Sequence, residues 1–190
     1  MKIGLVGEAP NDTRAIQNLL SRNYEGLEFV ELLQRVDGSM LDNKKAINQI
    51  RREFELENPG LVIFMRDLDS HEGDKKKKRE RQATFTKLKW LVDKKAIHLL
   101  HIYEIEALIL ADIDVFNKQY NCKLEQPPDP MKVADPKEVL MAASRKLASP
   151  FNVSHNPDLF KLLNFNTLIK NCRYFSSFIK KFDKALSLNI

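Results

Sequence analysis

The chain has 190 residues, of which 43% are hydrophobic, and it carries a formal net charge of +5. This length fits one domain of ordinary size or a core with a modest extension, and the apolar fraction excludes a disordered tail. No run of residues approaches the roughly 18 to 20 consecutive apolar positions that a membrane span needs, so we expect no membrane segment.

The beginning of the chain, MKIGLVGEAPND, does not have the pattern of a signal peptide, because Glu8 and Pro10 interrupt the apolar run. The two cysteines, Cys122 and Cys172, lie far apart and without a CxxC pattern or neighbouring histidines. This usage argues against a zinc site or a disulfide framework and predicts a reducing compartment, the cytoplasm.

Apolar strand-like runs alternate with amphipathic helical patterns through the first part of the chain. Asn11 or Asp12 is the predicted N-cap of the first helix, and Pro59 is expected to stop the second. The third strand is apolar almost throughout, as is typical of a central parallel strand covered on both faces. The predicted strands are 2–8, 27–34, 60–69 and 96–103, and the predicted helices are 9–23, 40–59, 77–95 and 104–120.

Strands that alternate with helices predict a Rossmann-like, mostly parallel α/β sheet in three layers. The composition changes at residues 122–136, where four prolines interrupt regular structure. Beyond them, residues 136–148 and 158–187 have helical patterns. We therefore expect an α/β core over residues 1–116 and a helical extension over residues 117–190, packed together as one compact unit.

Acidic residues follow three of the predicted strands. Glu8 comes after the first strand, Asp67 and Asp69 after the third, and Glu104 and Glu106 after the fourth. Functional groups of parallel α/β sheets gather at the carboxyl ends of the strands. Because side chains alternate across a strand, Asp67 and Asp69 are expected to point to one side.

Crowded carboxylates repel one another, and a divalent cation neutralises them most simply. Ligands that are all oxygen favour Mg²⁺ or Mn²⁺ over zinc. Each cluster alone also fits a solvated turn or a helix-start acid, and Glu104 and Glu106, two apart on a helix, would not share a face. The coincidence of three clusters at one edge of the sheet favours the metal site.

GEAPND, RDLD and YEIEALILAD, in this order after three strands, resemble the Toprim fold of topoisomerases, primases and OLD-family nucleases. The chain is more closely similar to the Toprim-like DUF4276 group. That similarity rests on the run from Glu104 to Asp112, on DPKEVL at 135 and on RYFSSFIKKF at 173, so it covers nearly the whole chain. The opening differs from the common Toprim motif at Ala9, where glycine is usual, and at Pro10.

The resemblance implies a Toprim core and assigns roles to the acids. Asp67 and Asp69 would be metal ligands and catalytic groups, and Glu8 a metal ligand or an acid-base group. Asp12 would also reach the metal, and Glu104 or Glu106 would complete the site. It also implies nuclease activity, with anti-phage defence and an ATPase partner as functions of related Toprim nucleases.

Basic residues near the aspartates are candidates for contact with a nucleic acid, DNA or RNA. Arg66 would bind a phosphate or simply form an ion pair, and His71 would assist proton transfer or be an ordinary loop histidine. The lysine run after residue 74 would contact the phosphate backbone or would be a solvated helix face. The later basic aromatic stretch would stack on bases or bind a phosphate, or its aromatic residues would pack in the core. The substrate-binding candidates are Arg66, His71, Lys75, Lys76, Lys77 and Arg173.

Three functions are open at this point. The first is a Mg²⁺- or Mn²⁺-dependent nuclease, and the second is a non-catalytic module that binds metal or nucleic acid together with a partner. The third is a small-molecule phosphotransferase or a receiver-like domain. The receiver-like domain is disfavoured because no lysine ends a late strand and because the acidic pair follows the third strand and not the first. The absence of GxxxxGK[ST] and GxGxxG excludes nucleotide binding through those two motifs.

Overall fold

The computed structural model of the protein describes residues 1–33, 41 and 43–188. Within these ranges four strands form one sheet in which every pairing is parallel, in the order β2-β1-β3-β4. The strands are β1 (Lys2–Val6), β2 (Glu28–Glu31), β3 (Leu61–Asp67) and β4 (Ala96–His101). The predicted α/β class with a parallel sheet and a helical C-terminal part is confirmed.

Three helices connect the strands, and six more follow β4 in the described part of the chain. The predicted second strand reached Gln34 and the next predicted helix began at Met40; these two residues and Asp42 lie outside the described residues. The helices are α1 (Pro10–Ser21), α2 (Lys44–Glu57), α3 (Lys75–Leu91), α4 (Ala107–Ala111), α5 (Ile113–Tyr120), α6 (Pro136–Ser144), α7 (Asn156–Phe160), α8 (Phe165–Asn171) and α9 (Arg173–Ser187).

The sheet lies between two layers of helices because alternate side chains of each strand point to opposite faces. In β3, Ile63 and Met65 pack in a core with α1 and the C-terminal helices, whereas Val62 and Phe64 pack against α2 and α3. As expected, β3 is a central strand, paired with β1 on one side and β4 on the other. The layers are therefore those of a Rossmann-like fold.

Two local predictions were wrong. The N-cap of α1 is Ala9 rather than Asn11 or Asp12, because Pro10 occupies the first helical turn, where its fixed φ suits the helix. The predicted helix over residues 104–120 is divided, since the chain leaves the helical region at Asp112 (φ −132°) between α4 and α5. Glu104 and Glu106 therefore precede α4 instead of lying in its first turn.

The C-terminal helices share the larger hydrophobic core with the sheet. This core includes Ile3 and Leu5 of β1 together with Phe175 and Phe182 of α9, all fully buried. The proposed division into residues 1–116 and 117–190 stays a prediction. Within the described residues no helix is long and apolar enough to cross a bilayer.

Candidate metal and phosphate site

The carboxyl ends of β1, β3 and β4 lie side by side because these strands are neighbours in the sheet. Glu8 follows β1, Asp67 ends β3, and the turn after β4 carries Glu104 and Glu106. The β3–β4 pairing continues past the strands, as the Leu68 amide donates to the His101 carbonyl at 2.8 Å. This extension fixes the two acidic turns against each other.

Asp12 enters the same crevice from the first turn of α1. Burial raises its pKa to about 7, and the negative charges of Glu106 and Glu8 raise it in the same direction. Burial also raises the pKa of Asp67 well above its ordinary range, with the charges of Asp12 and Glu106 as further causes. The pKa of Glu106 is raised by burial. These three acids form a group of partly or fully buried carboxyls with mutual repulsion.

The other three acids have cationic partners. Glu8 forms an ion pair with Arg66, which is only 7% exposed, and Asp69 forms one with Arg81 of α3. Lys137 donates to Glu104 at 2.8 Å. The six acids thus fall into two groups: Glu8, Asp69 and Glu104 are neutralised by a side chain, whereas Asp12, Asp67 and Glu106 have no ion pair in the described structure.

The two aspartates of RDLD have different surroundings. β3 ends at Asp67, and Asp69 has a left-handed backbone (φ 51°), so the alternation of the strand no longer determines its direction. Asp69 is half exposed and reaches Arg81, whose Nε also donates to the Asp67 carbonyl at 3.0 Å. Arg81 therefore holds the end of β3 to α3 through both residues.

Asn156, the first residue of α7, was not identified from the sequence. It is fully buried, its Nδ2 donates to Glu106 Oε1 at 2.8 Å, and its amide group also lowers the pKa of Asp12. Its Oδ1 has no hydrogen-bond partner among the described residues. The contact joins positions 50 residues apart, so no local pattern could have indicated it.

The loop between β3 and α3 is held by its own polar groups. Asp74 caps α3 by accepting from the Lys77 amide at 2.9 Å, and Lys77 Nζ donates to the Asp69 carbonyl at 2.7 Å. His71 is exposed, and its Nδ1 accepts from the Gly73 amide at 3.1 Å. Each group therefore has a structural partner, as the alternative interpretation of His71 anticipated.

The remaining basic candidates surround this loop. Arg173 forms an ion pair with Glu72, which links the start of α9 to the loop. Lys75 and Lys76 are exposed at the first turn of α3. Contact of these residues, Arg66, His71 and Lys77 with a substrate stays a prediction.

The crevice has the donor chemistry of a hard-cation site but not a finished set of ligands. Among the described residues, no group of three or more side chains drawn from histidine, cysteine, aspartate and glutamate has the arrangement needed to hold one metal ion. All the acids present oxygen, which Mg²⁺ and Mn²⁺ prefer.

A family model described as "Domain of unknown function (DUF4276)" matches residues 8–183. The chain belongs to the DUF4276 family. The match includes all six acids of the crevice, Asn156 and most of α9, so in this DUF4276 protein the family region unites the core and the helical extension. The comparisons with curated proteins and with solved structures gave no match.

Proposed function

We propose that this DUF4276 protein is a Mg²⁺- or Mn²⁺-dependent nuclease that hydrolyses phosphodiesters of DNA or RNA. The observation that supports it best is the group of Asp12, Asp67 and Glu106, which are crowded at the carboxyl edge of the sheet and form no ion pair among the described residues. Burying several carboxylates that repel one another destabilises the folded state. A bound proton or a bound cation removes this cost, so such a group is expected to bind one of them.

The acids of the crevice offer oxygen atoms, the ligands that Mg²⁺ and Mn²⁺ prefer. Asp12, Asp67 and Glu106 would hold the ion, with the carboxylates of Glu8 and Asp69 at the border of the site. When bound, the ion would polarise a phosphoryl group and lower the pKa of a water molecule.

The protein's own side chains supply a proton-binding group and charge. In the metal-free protein burial raises the pKa of Asp12 to about 7, so near neutral pH this carboxyl binds a proton that a cation would displace. Arg66 and Arg81 place two guanidinium groups beside the acids, where they can approach phosphate oxygens by exchanging a carboxylate partner. Asn156 holds Glu106 in the crevice through its amide group and lowers the pKa of Asp12.

The test is a titration of thermal stability with Mg²⁺ and Mn²⁺ on the wild type and on Asp67→Asn. At 100 times the dissociation constant a bound ion stabilises the fold by about 2.7 kcal/mol, and the variant should lose most of this gain. Asp114→Asn, an exposed first-turn aspartate of α5, is the matched control and should keep the gain. Hydrolysis is then measured on single-stranded and duplex DNA and RNA and on transfer RNA.

A second candidate is a non-catalytic Toprim-like module that binds metal or nucleic acid with a partner protein. The ion pairs of Arg66 with Glu8 and of Arg81 with Asp69 favour it, because they already neutralise two acids of the crevice. Stabilisation by Mg²⁺ without hydrolysis of any substrate would select this function. We also propose an ATPase partner and a part in anti-phage defence. Only the resemblance to Toprim nucleases supports these two proposals.

A further inference from the structure

A groove follows the outer edge of β4, the last strand of the sheet, between α3 and α9. α3 packs on one face of the sheet and α9 on the other, so the edge of β4 forms the floor of the groove. Two neighbouring cavities of about 600 Å³ and about 340 Å³ share Gln82, His98 and Lys181 as lining residues. Together they make one continuous channel on the surface.

The two helices beside this groove carry the protein's excess of positive charge, and four lysines line the two cavities: Lys78, Lys89, Lys94 and Lys181. α3 has eight lysines and arginines and one acid, and α9 has four and one. The two helices hold 12 of the 31 basic residues but 2 of the 26 acidic residues, so the rest of the chain has a net negative charge. Among the described residues, none that lines the two cavities is acidic.

Two aromatic side chains lie along the groove. Trp90, the only tryptophan, is 65% exposed, and Lys94 Nζ lies 4.1 Å from the centre of its ring. Tyr174 lines the other cavity, with Lys78 Nζ at 5.8 Å from its ring. An exposed tryptophan is costly to leave in water, and it contributes nothing to the two hydrophobic cores.

We propose that this groove binds single-stranded nucleic acid, with the phosphates at its lysines and bases stacked on Trp90 and Tyr174. Basic grooves with exposed aromatic rings hold single strands in this way, and bases inside a duplex cannot reach such rings. α3 joins the groove to the acidic crevice, because Lys78 lines one and Arg81 pairs with Asp69 in the other. The inference names the substrate class of the proposed nuclease and rests on it in that respect only, since binding needs no metal.

The fluorescence of Trp90 tests the proposal directly, because no other tryptophan contributes. Full-length protein in EDTA is titrated with fifteen-residue oligo-dT and oligo-U, with a duplex of equal length, and with heparin. Single strands should quench the fluorescence in a salt-dependent manner, whereas duplex and heparin should not. Because EDTA removes divalent metal, this titration measures binding apart from catalysis. If single strands bind here but are not hydrolysed once Mg²⁺ or Mn²⁺ is supplied, only the nuclease proposal is refuted.

Charge reversal in the groove supplies the variant. Lys89→Glu/Lys181→Glu should weaken single-strand binding at least tenfold and reduce the slope of log affinity against log salt by about 1.4, the loss of two phosphate contacts. Lys123→Glu/Lys146→Glu changes the charge equally at exposed lysines that line neither cavity, and should bind as the wild type does.

Three results would overturn the inference. They are no quenching by single strands, equal loss of affinity in the groove variant and the control, and quenching by duplex or heparin at the same concentrations as by single strands. The last would show a general polyanion surface. Unchanged far-ultraviolet circular dichroism of both variants shows that the substitutions have not unfolded the protein.

Discussion

The neutral substitution Asp12→Asn should stabilise the metal-free protein, and more so at high pH. Burial raises the pKa of Asp12 from 3.8 to about 7, so the folded state keeps a proton that the unfolded state releases. Stability from this group is complete below pH 3.8 and is lost as the pH rises to about 7. Asparagine keeps the shape of the aspartate side chain, but it has no charge to bury.

The size of the effect follows from the two pKa values of Asp12, in the unfolded and in the folded protein. A tenfold change in a proton-binding constant corresponds to about 1.4 kcal/mol, so the rise from 3.8 to about 7 amounts to about 4 kcal/mol over the whole range. Between pH 5 and pH 8 the wild type loses about 3 kcal/mol of this, because Asp12 of the folded protein is half ionised at about pH 7 and almost fully ionised at pH 8. The advantage of Asp12→Asn over the wild type should grow by that amount.

Urea unfolding in EDTA at pH 5, 6, 7 and 8 measures this difference. Asp114→Asn, which also replaces an aspartate in the first turn of a helix, should run parallel to the wild type over the same range. If Asp12→Asn also ran parallel to the wild type, the carboxyl of Asp12 would be ionised in the folded state throughout. The crowding of buried acids would then not exist, and the main support of the metal site would fail.

Two further substitutions test the structure around the crevice. Asn156→Leu removes the donor to Glu106 and the amide that lowers the pKa of Asp12. It should therefore cost about 1–3 kcal/mol in urea unfolding and raise the pKa of Asp12 further in carboxyl NMR; exposed Asn166→Leu should do neither. Wild-type behaviour of Asn156→Leu would mean that the amide does not position these acids. Gly7→Ala places a methyl group 2.6 Å from Thr13 Oγ1 and should cost about 1–3 kcal/mol, whereas Gly73→Ala meets only the exposed His71 ring and should cost much less. Equal stability of the two alanine variants would contradict the tight approach of the loop after β1 to α1.

The order of strands and helices could be predicted from the sequence because local patterns encode it. The apolar run over residues 61–65 needs cover on both faces, and this requirement alone makes β3 a central strand. Local exceptions were missed where one residue decides the geometry. Pro10 moves the N-cap of α1 to Ala9, and the backbone of Asp112 divides a helix whose side-chain pattern is continuous.

For the candidate site, the sequence predicted which acids lie at the carboxyl ends of the strands, but it did not predict their contacts. Parallel strands bring their carboxyl ends together, so Glu8, Asp67 and Glu106 were expected at one edge without any knowledge of distances. The sequence did not show which acids form ion pairs with basic side chains. Arg66, Arg81 and Lys137 carry the same charge, and only the folded structure determines which acid each of them contacts.

The sequence by itself therefore determined the layers of this DUF4276 protein and the edge at which its acids gather, because periodicity and strand ends are local properties. The tertiary structure alone decided that Asn156 acts on two of the acids and that α3 and α9 enclose a basic groove beside β4. Both depend on contacts between segments far apart in the chain. Such contacts follow from how whole layers pack, and no single stretch of residues carries that information.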